Sequence, residues 1–362
     1  MFYRDNGELK TSYGADAQIF ALAQERWAFI AFMVAAFAVV PLVADAYWLR
    51  AVLIPFLVLS LAAVGLNILV GYCGQISLGA GAFMGIGAYA AYNLHVRIPG
   101  MPLVLSLAGG GLAATLAGMV FGIPSLRVRG LYLAVATLAA QFFSDWAFLR
   151  LGWLSNDSSS GSVTVSGLEA FGVRLDTPQA IYVFCLAVVT VLGLAAKNLV
   201  RGAAGRQWMA IRDMDVAASV IGVNPVMAKL SAFAVSSFLI GSAGALWGFM
   251  HLGSWEPSAF SIDRSFQLLF MVIIGGLGSI AGGFMGAAFI VLVPLALNRL
   301  LPIAGDALGM PFSTAAASHA ESMLFGALIV WFLIVEPHGL ARLWSLARQR
   351  ARLWPFAHGA GA

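Results

Sequence analysis

Asn67, Gln75 and Ser77 lie in the stretch 65–89, GLNILVGYCGQISLGAGAFMGIGAY, surrounded by glycine and apolar residues. Side-chain amides and hydroxyls have two uses in such a setting. They satisfy backbone groups freed where glycines break a helix, or they carry a polar solute past apolar walls. Spacing alone leaves both open. A second stretch, 205–230, reads GRQWMAIRDMDVAASVIGVNPVMAKL. Asp213 or Asp215 is placed to cap or begin a short helix there. Ala217 and Ala218 favour that helix, Gly222 ends it and Pro225 lies beyond. Trp208, Met209, Ile211 and Val216 give it an apolar side; Arg206, Arg212 and Asp213 give it a polar one. Such a helix either lies at a lipid interface or docks a cytoplasmic partner.

Other residues carry little chemistry. The chain has no G-x-x-x-x-G-K-[ST] phosphate loop, no G-x-S-x-G and no H-E-x-x-H. It holds three lysines, Lys10, Lys197 and Lys229, and no evident means of using ATP by itself. Cys73 and Cys185 stand far apart in apolar blocks and make neither a disulfide framework nor a zinc spacing. No metal site and no catalytic residue is expected. Asp145, Arg150, His319, Glu321, Glu336 and His338 sit near the ends of apolar blocks, where charge is solvated.

The elements that must position these groups follow from composition. Of 362 residues, 61% are hydrophobic and only 10% charged. A soluble domain carries about a quarter charged residues, so too few polar side chains exist to cover a water-facing surface. The net charge of +4 is too small to argue for nucleic acid. An all-α polytopic membrane protein is expected, each span needing roughly 20 apolar residues. Ten segments are read: 27–43, 48–70, 76–94, 103–123, 131–149, 180–197, 230–250, 266–281, 284–301 and 320–336. Those at 76–94 and 266–281 are short and glycine-rich, and fit broken or re-entrant helices as well as full spans. The count is about ten, with eight possible.

Basic residues test the orientation. With the N-terminus inside, fourteen Lys and Arg fall in cytoplasmic segments and six outside, Arg50, Arg97, Arg150, Arg174, Arg264 and Arg299. Both termini are therefore expected in the cytoplasm. The chain divides into a polar lead 1–26 with no signal-peptide pattern, a membrane domain 27–336 and a basic tail 337–362. The segment 198–229 is cytoplasmic, and a polar stretch about 150–179 lies outside.

Glycine recurs at one-turn spacing: Gly81 and Gly85, Gly118 and Gly122, Gly244 and Gly248, Gly278 and Gly282, Gly282 and Gly286. Small residues at i and i+4 let helix backbones approach closely inside lipid. Static packing accounts for most of them; a sliding interface is the sharper reading. AGAFMG at 80–85 and AGGFMG at 281–286 echo each other, as in transporters built from repeats.

Four ordered blocks carry a resemblance. They are GLNILVGYCGQISLGAGAFMGIGAYAA, PSLRVRGLYLAVATLA at 124–139, GRQWMAIRDMDVAASVIGVN, and LLFMVIIGGLGSIAGGFMGAAFIVLVP at 268–294. In this order the chain, from about 48 to 336, resembles permease subunits of branched-chain amino acid ABC importers, the LivM type. The resemblance implies the ABC importer permease fold in a bacterial inner membrane. It implies two ABC ATPase subunits, which bind the ATP and magnesium, a second related permease and a periplasmic or extracellular substrate-binding protein. It also makes 205–222 similar to the E-A-A-x-x-x-G coupling segment, with Arg206, Arg212, Asp213, Asp215, Ala217, Ala218 and Gly222 as candidate ATPase-coupling residues. Val216 stands in the acidic slot and the acid is one place earlier, at Asp215.

Two departures stand out. Leu154 to Gly161 replaces a T-G-G-like outer motif, and Ala80 stands where relatives often carry His. The importer reading makes Asn67, Gln75, Ser77, Thr137 and Gln141 candidate translocation groups. It makes Gly81, Gly85, Gly244, Gly248, Gly278 and Gly282 candidate packing positions for alternating access. A permease for urea or short amides shares this architecture and is the nearest alternative substrate reading. An ATP-independent channel or secondary carrier is the alternative of another class, and it needs no coupling segment.

Overall fold

The computed structural model describes residues 23–126, 130–170, 172–307 and 339–353, with isolated positions between 323 and 334. The expected span 320–336 falls almost wholly outside these residues, as do most of the lead and the end of the tail. The helices are α1 (Arg26–Val43), α2 (Ala46–Tyr72), α3 (Ala80–Arg97), α4 (Leu103–Gly122), α5 (Leu131–Arg150) and α6 (Pro178–Arg201). They continue as α7 (Ala203–Val220), α8 (Pro225–Leu252), α9 (Ile262–Gly275), α10 (Ile280–Ala307) and α11 (Gly339–Leu353). Among the described residues seven helices are long and apolar enough to cross a membrane. Four two-residue strands qualify the all-α expectation: β1 (Val163–Thr164) pairs with β4 (Ser254–Trp255), and β2 (Glu169–Ala170) with β3 (Val173–Arg174).

Burial sorts the helices. α2 is almost fully enclosed and packs against α6, α8, α9 and α10. α8 packs against α2, α3 and α4. α1 lies at the edge, and the outer faces of α4, α5 and α6 expose leucine, valine and aromatic side chains, as lipid-facing surfaces do. Glycine sets the closest approaches. At the α3–α8 crossing a side chain on Gly87 would enter the Gly241 backbone, and one on Gly244 would enter Met84. α4 meets α8 through Gly111, Gly118 and Gly122, against Ser242, Ser237 and Phe233. In lipid, close backbone approach of this kind replaces the hydrophobic effect as the source of association.

Several expected boundaries move, for local reasons. The segment read as 266–281 is two elements. α9 stops at Gly275, and Gly276 and Gly278 take φ of +110° and +74°, which glycine alone adopts without strain. α10 then starts at Ile280 rather than at 284. The segment read as 76–94 starts later, at Ala80, because residues 73–79 leave the helix. α8 starts at Pro225, earlier than 230, since the Asn224 side chain accepts from the Val226 and Met227 amides at 3.0 and 3.3 Å. α6 runs on to Arg201, so little loop remains in 198–229.

Candidate functional site

α7 lies at one end of the bundle, beside the point where α2 ends and α9 turns into α10. Its first half is fastened by apolar burial. Trp208 is fully enclosed and donates its indole N–H to Ser231 of α8 at 2.9 Å, and Ile211 is buried beside it. This anchorage extends the helix back to Ala203, well before the Asp213 or Asp215 start that capping patterns suggested. The helix breaks at Met214, whose φ and ψ are −159° and 94°.

Beyond the break the apolar side chains reverse direction. Met214, Val216, Val220 and Ile221 are 69, 68, 82 and 76% exposed, and Met227 at the start of α8 is exposed beside them. The helix ends as the sequence suggested. Gly222 has φ +93°, the Val223 amide donates to Ala218 at 3.0 Å and the Gly222 amide to Ser219 at 3.2 Å. Ala217 is exposed, whereas Ala218 is buried at the root of the knob.

Two charged groups tie this knob to the bundle. Arg212 donates from Nη1 to the Gly71 carbonyl at 2.8 Å, while its Nε meets Asp213 at 2.9 Å. Gly71 lies in the π-helical last turn of α2, where carbonyls lack helical partners. Lys229, 4% exposed, stands 3.8 Å from Asp215 and joins the second half of α7 to α8. Arg206 is turned outward and donates to the Arg201 carbonyl at 3.2 Å. Between α7 and residues 73–75 lies a cavity of about 570 Å³, lined by Cys73, Gln75, Arg212, Asp213, Asp215 and Lys229 among others. Gln75 is half-buried at its wall and donates to the Cys73 carbonyl at 3.4 Å.

The remaining polar candidates sit deeper. Asn67, fully buried, donates to the Gly276 and Ser279 carbonyls at 3.2 and 2.8 Å and accepts from the Gly278 amide at 2.9 Å. Thr137 accepts from the Leu78 amide at 2.9 Å, and Ser77 from the Gly79 amide at 3.3 Å. Gln141 accepts from the Ala82 amide at 2.6 Å and donates to the Phe260 carbonyl at 2.9 Å. Ser265 of α9 accepts from the Gly81 amide at 2.7 Å and donates to Gln141 at 3.0 Å. These groups surround the free amides that open α3.

Thus Thr137, Gln141 and Ser77 gather at one helix start, Asn67 at a separate turn, and Gln75 at the α7 cavity. Ser265, Trp208 and Lys229 were not singled out as functional residues. A lone serine near the start of an apolar helix, and a lysine next to one, were the available signals.

The glycines are equally local. A Cβ on Gly81 would lie 2.6 Å from the Phe260 carbonyl, on Gly85 2.7 Å from the Phe148 ring, and on Gly248 3.1 Å from Trp255. Gly282 meets the Gly275 carbonyl at 2.7 Å in the same sense. Among the described residues no group of three His, Cys, Asp or Glu is placed to hold a metal.

Residues 48–334 match the family described as the branched-chain amino acid transport system / permease component. The chain belongs to that family. It is a multi-pass membrane protein, consistent with its apolar helices. It is 30% identical over 303 residues to the high-affinity branched-chain amino acid transport system permease protein LivM of Salmonella typhimurium, and 31% to that of Escherichia coli. Each alignment covers 76% of this chain and 66% of the relative, just under two thirds of the relative's length. A third relative, the autoinducer 2 import system permease protein LsrC of an Enterobacter strain, is 27% identical over 60% of this chain and 62% of its own. No solved structure matches.

Proposed function

We propose that the chain is the transmembrane permease subunit of an ATP-driven importer for branched-chain or other small amino acids. One observation carries the reading beyond family membership: the knob of exposed apolar side chains, Met214 to Ile221, tied to the bundle through Arg212 before it and the Lys229–Asp215 pair within it. Four large apolar side chains at one helix tip are costly in water and mark a protein–protein contact. ABC ATPases, carrying ATP and magnesium, are the partners that dock there. A second permease and a binding protein on the other side complete the assembly. The α7 end is then cytoplasmic, both termini with it, in a bacterial inner membrane.

The mechanism follows from the fastenings. Closure of the ATPases displaces α7, and Arg212 passes the movement to the end of α2. Asn67 on α2 passes it on to the turn between α9 and α10. Helices meeting through glycine then reorient, opening the pathway to each side in turn. Likeness to LivM favours amino acids as solute. The LsrC relative is named for a different solute, so the shared permease architecture does not by itself decide substrate.

The test is mass spectrometry of what co-purifies with the tagged chain in mild detergent from native membranes. Two ABC ATPases and a second, non-identical permease are the expected result. The chain alone or a homo-oligomer, when known ABC complexes survive the same extraction, overturns the reading in favour of a channel or carrier.

A further inference from the structure

At the end of the bundle opposite α7, a cavity of about 370 Å³ opens between α2, α6, the last turn of α8 and the loop before α6. Its size lies in the range of roughly 300–1,000 Å³ usual for small-ligand clefts. Two walls come from π-helical stretches, Leu49–Leu53 of α2 and Trp247–Leu252 of α8. Widened turns of this type concentrate at functional sites.

The lining is mixed: Arg50, Ser166, Asp176 and His251 stand among apolar side chains. Arg50 comes from the first π-stretch and Asp176 from the loop that leads into α6. Among the described residues neither forms an ion pair with the other or with a third group. Ile54, Leu168, Ile181 and Phe249 cover the space around them. On the same loop Arg174 pairs with Glu169 at 3.2 Å.

We propose that this cavity is an entry site for a free α-amino acid, Arg50 holding the carboxylate, Asp176 the ammonium and the apolar wall the side chain. The proposal rests on the importer reading above and gives its solute a first contact. A zwitterion matches the arrangement, because it presents both charges on one carbon beside an aliphatic group. Both side chains are exposed, so water screens the contact and binding is weak, as release into a pathway requires. Opposite charge places the acid end at Arg50 and the ammonium at Asp176.

The test uses the complete importer in proteoliposomes, with ATP inside and leucine-loaded binding protein outside. Radiolabelled leucine uptake and binding-protein-stimulated ATP hydrolysis are both read. Arg50→Gln and Asp176→Asn are each expected to lower uptake about tenfold while stimulated hydrolysis stays near wild type. Arg50→Lys and Asp176→Glu keep the charges and are expected to keep most uptake. Since both groups are exposed and lack ion-pair partners, assembly is expected to survive each change, and co-purification of the ATPases checks it. Unchanged uptake in the neutral variants overturns the proposal, and so does equal loss in the charge-keeping pair. Joint loss of uptake and stimulated hydrolysis assigns the residues to binding-protein docking, and also overturns it. Failure of the wild-type importer to take up any amino acid fails the importer reading itself and takes this site with it.

Discussion

Two breaks between packed helices, at residues 73–79 and 276–279, are satisfied in opposite ways. At residues 276–279 a single side chain, Asn67, serves two carbonyls and one amide. At residues 73–82 the work is divided among Thr137, Ser77, Gln141 and Ser265, which come from three parts of the chain. The first arrangement welds α2 to α9 and α10 through one residue. The second joins α3, α5 and α9 at one helix start and leaves residues 73–75 lining the cavity beside α7. A break with one keystone moves as a unit; a break with several fasteners has parts that can be exchanged. Under the importer reading proposed above, the 276–279 turn would transmit movement and the 73–79 segment would form the moving wall.

The comparison is broken most directly at Asn67. Asn67→Leu removes the partner of three backbone groups, one buried and two half-buried, each loss costing up to about 1–3 kcal/mol, and is expected to lower the melting temperature of the purified chain more than any other single change proposed here. An unchanged melting temperature refutes the keystone. Gln141→Leu is expected to cost less, because Ser265 and Thr137 remain at the same helix start. Adding Ser265→Ala should then cost more than the two changes summed, since both serve one cluster; strict additivity in thermal melts contradicts a shared fastening.

Gly222→Leu forces a side chain onto a left-handed turn at a cost of roughly 1–3 kcal/mol. The chain should remain in the membrane while the ATPases detach or lose substrate-stimulated hydrolysis. Wild-type stimulated hydrolysis in that variant sinks the coupling role of α7. Gln75→Leu has the smallest expected effect on stability, because its hydrogen bond, at 3.4 Å, stays within its own segment. It should slow uptake and leave assembly intact. Unchanged uptake makes Gln75 a structural residue.

Much of this was legible beforehand. Apolar blocks of span length placed α2, α4, α6 and α8 within a few residues, since burial in lipid demands long apolar runs. Gly222 marked the end of α7 because turn chemistry is local, whereas the start of α8 at Pro225 was read five residues late, at 230. The split of 266–281 was half visible: its glycines showed that a break was available, and not that Gly276 and Gly278 were the residues to use it. The echo of AGAFMG and AGGFMG proved to mark two helix starts that each follow a break. The two uses of amides in membranes, solute contact and backbone satisfaction, could not be separated from spacing.

What the sequence by itself determined is the class of solvent and the local grammar. Its apolar content requires lipid, its glycines permit close helices, and its four ordered blocks point to a permease family. Only the tertiary structure decided who serves whom. Asn67 reaches a turn more than two hundred residues away, Arg212 finds the end of α2, and Arg50 shares a cavity with Asp176. Backbone groups freed at depth must find partners wherever the fold brings them, and that pairing is a property of three-dimensional proximity, which no local pattern encodes.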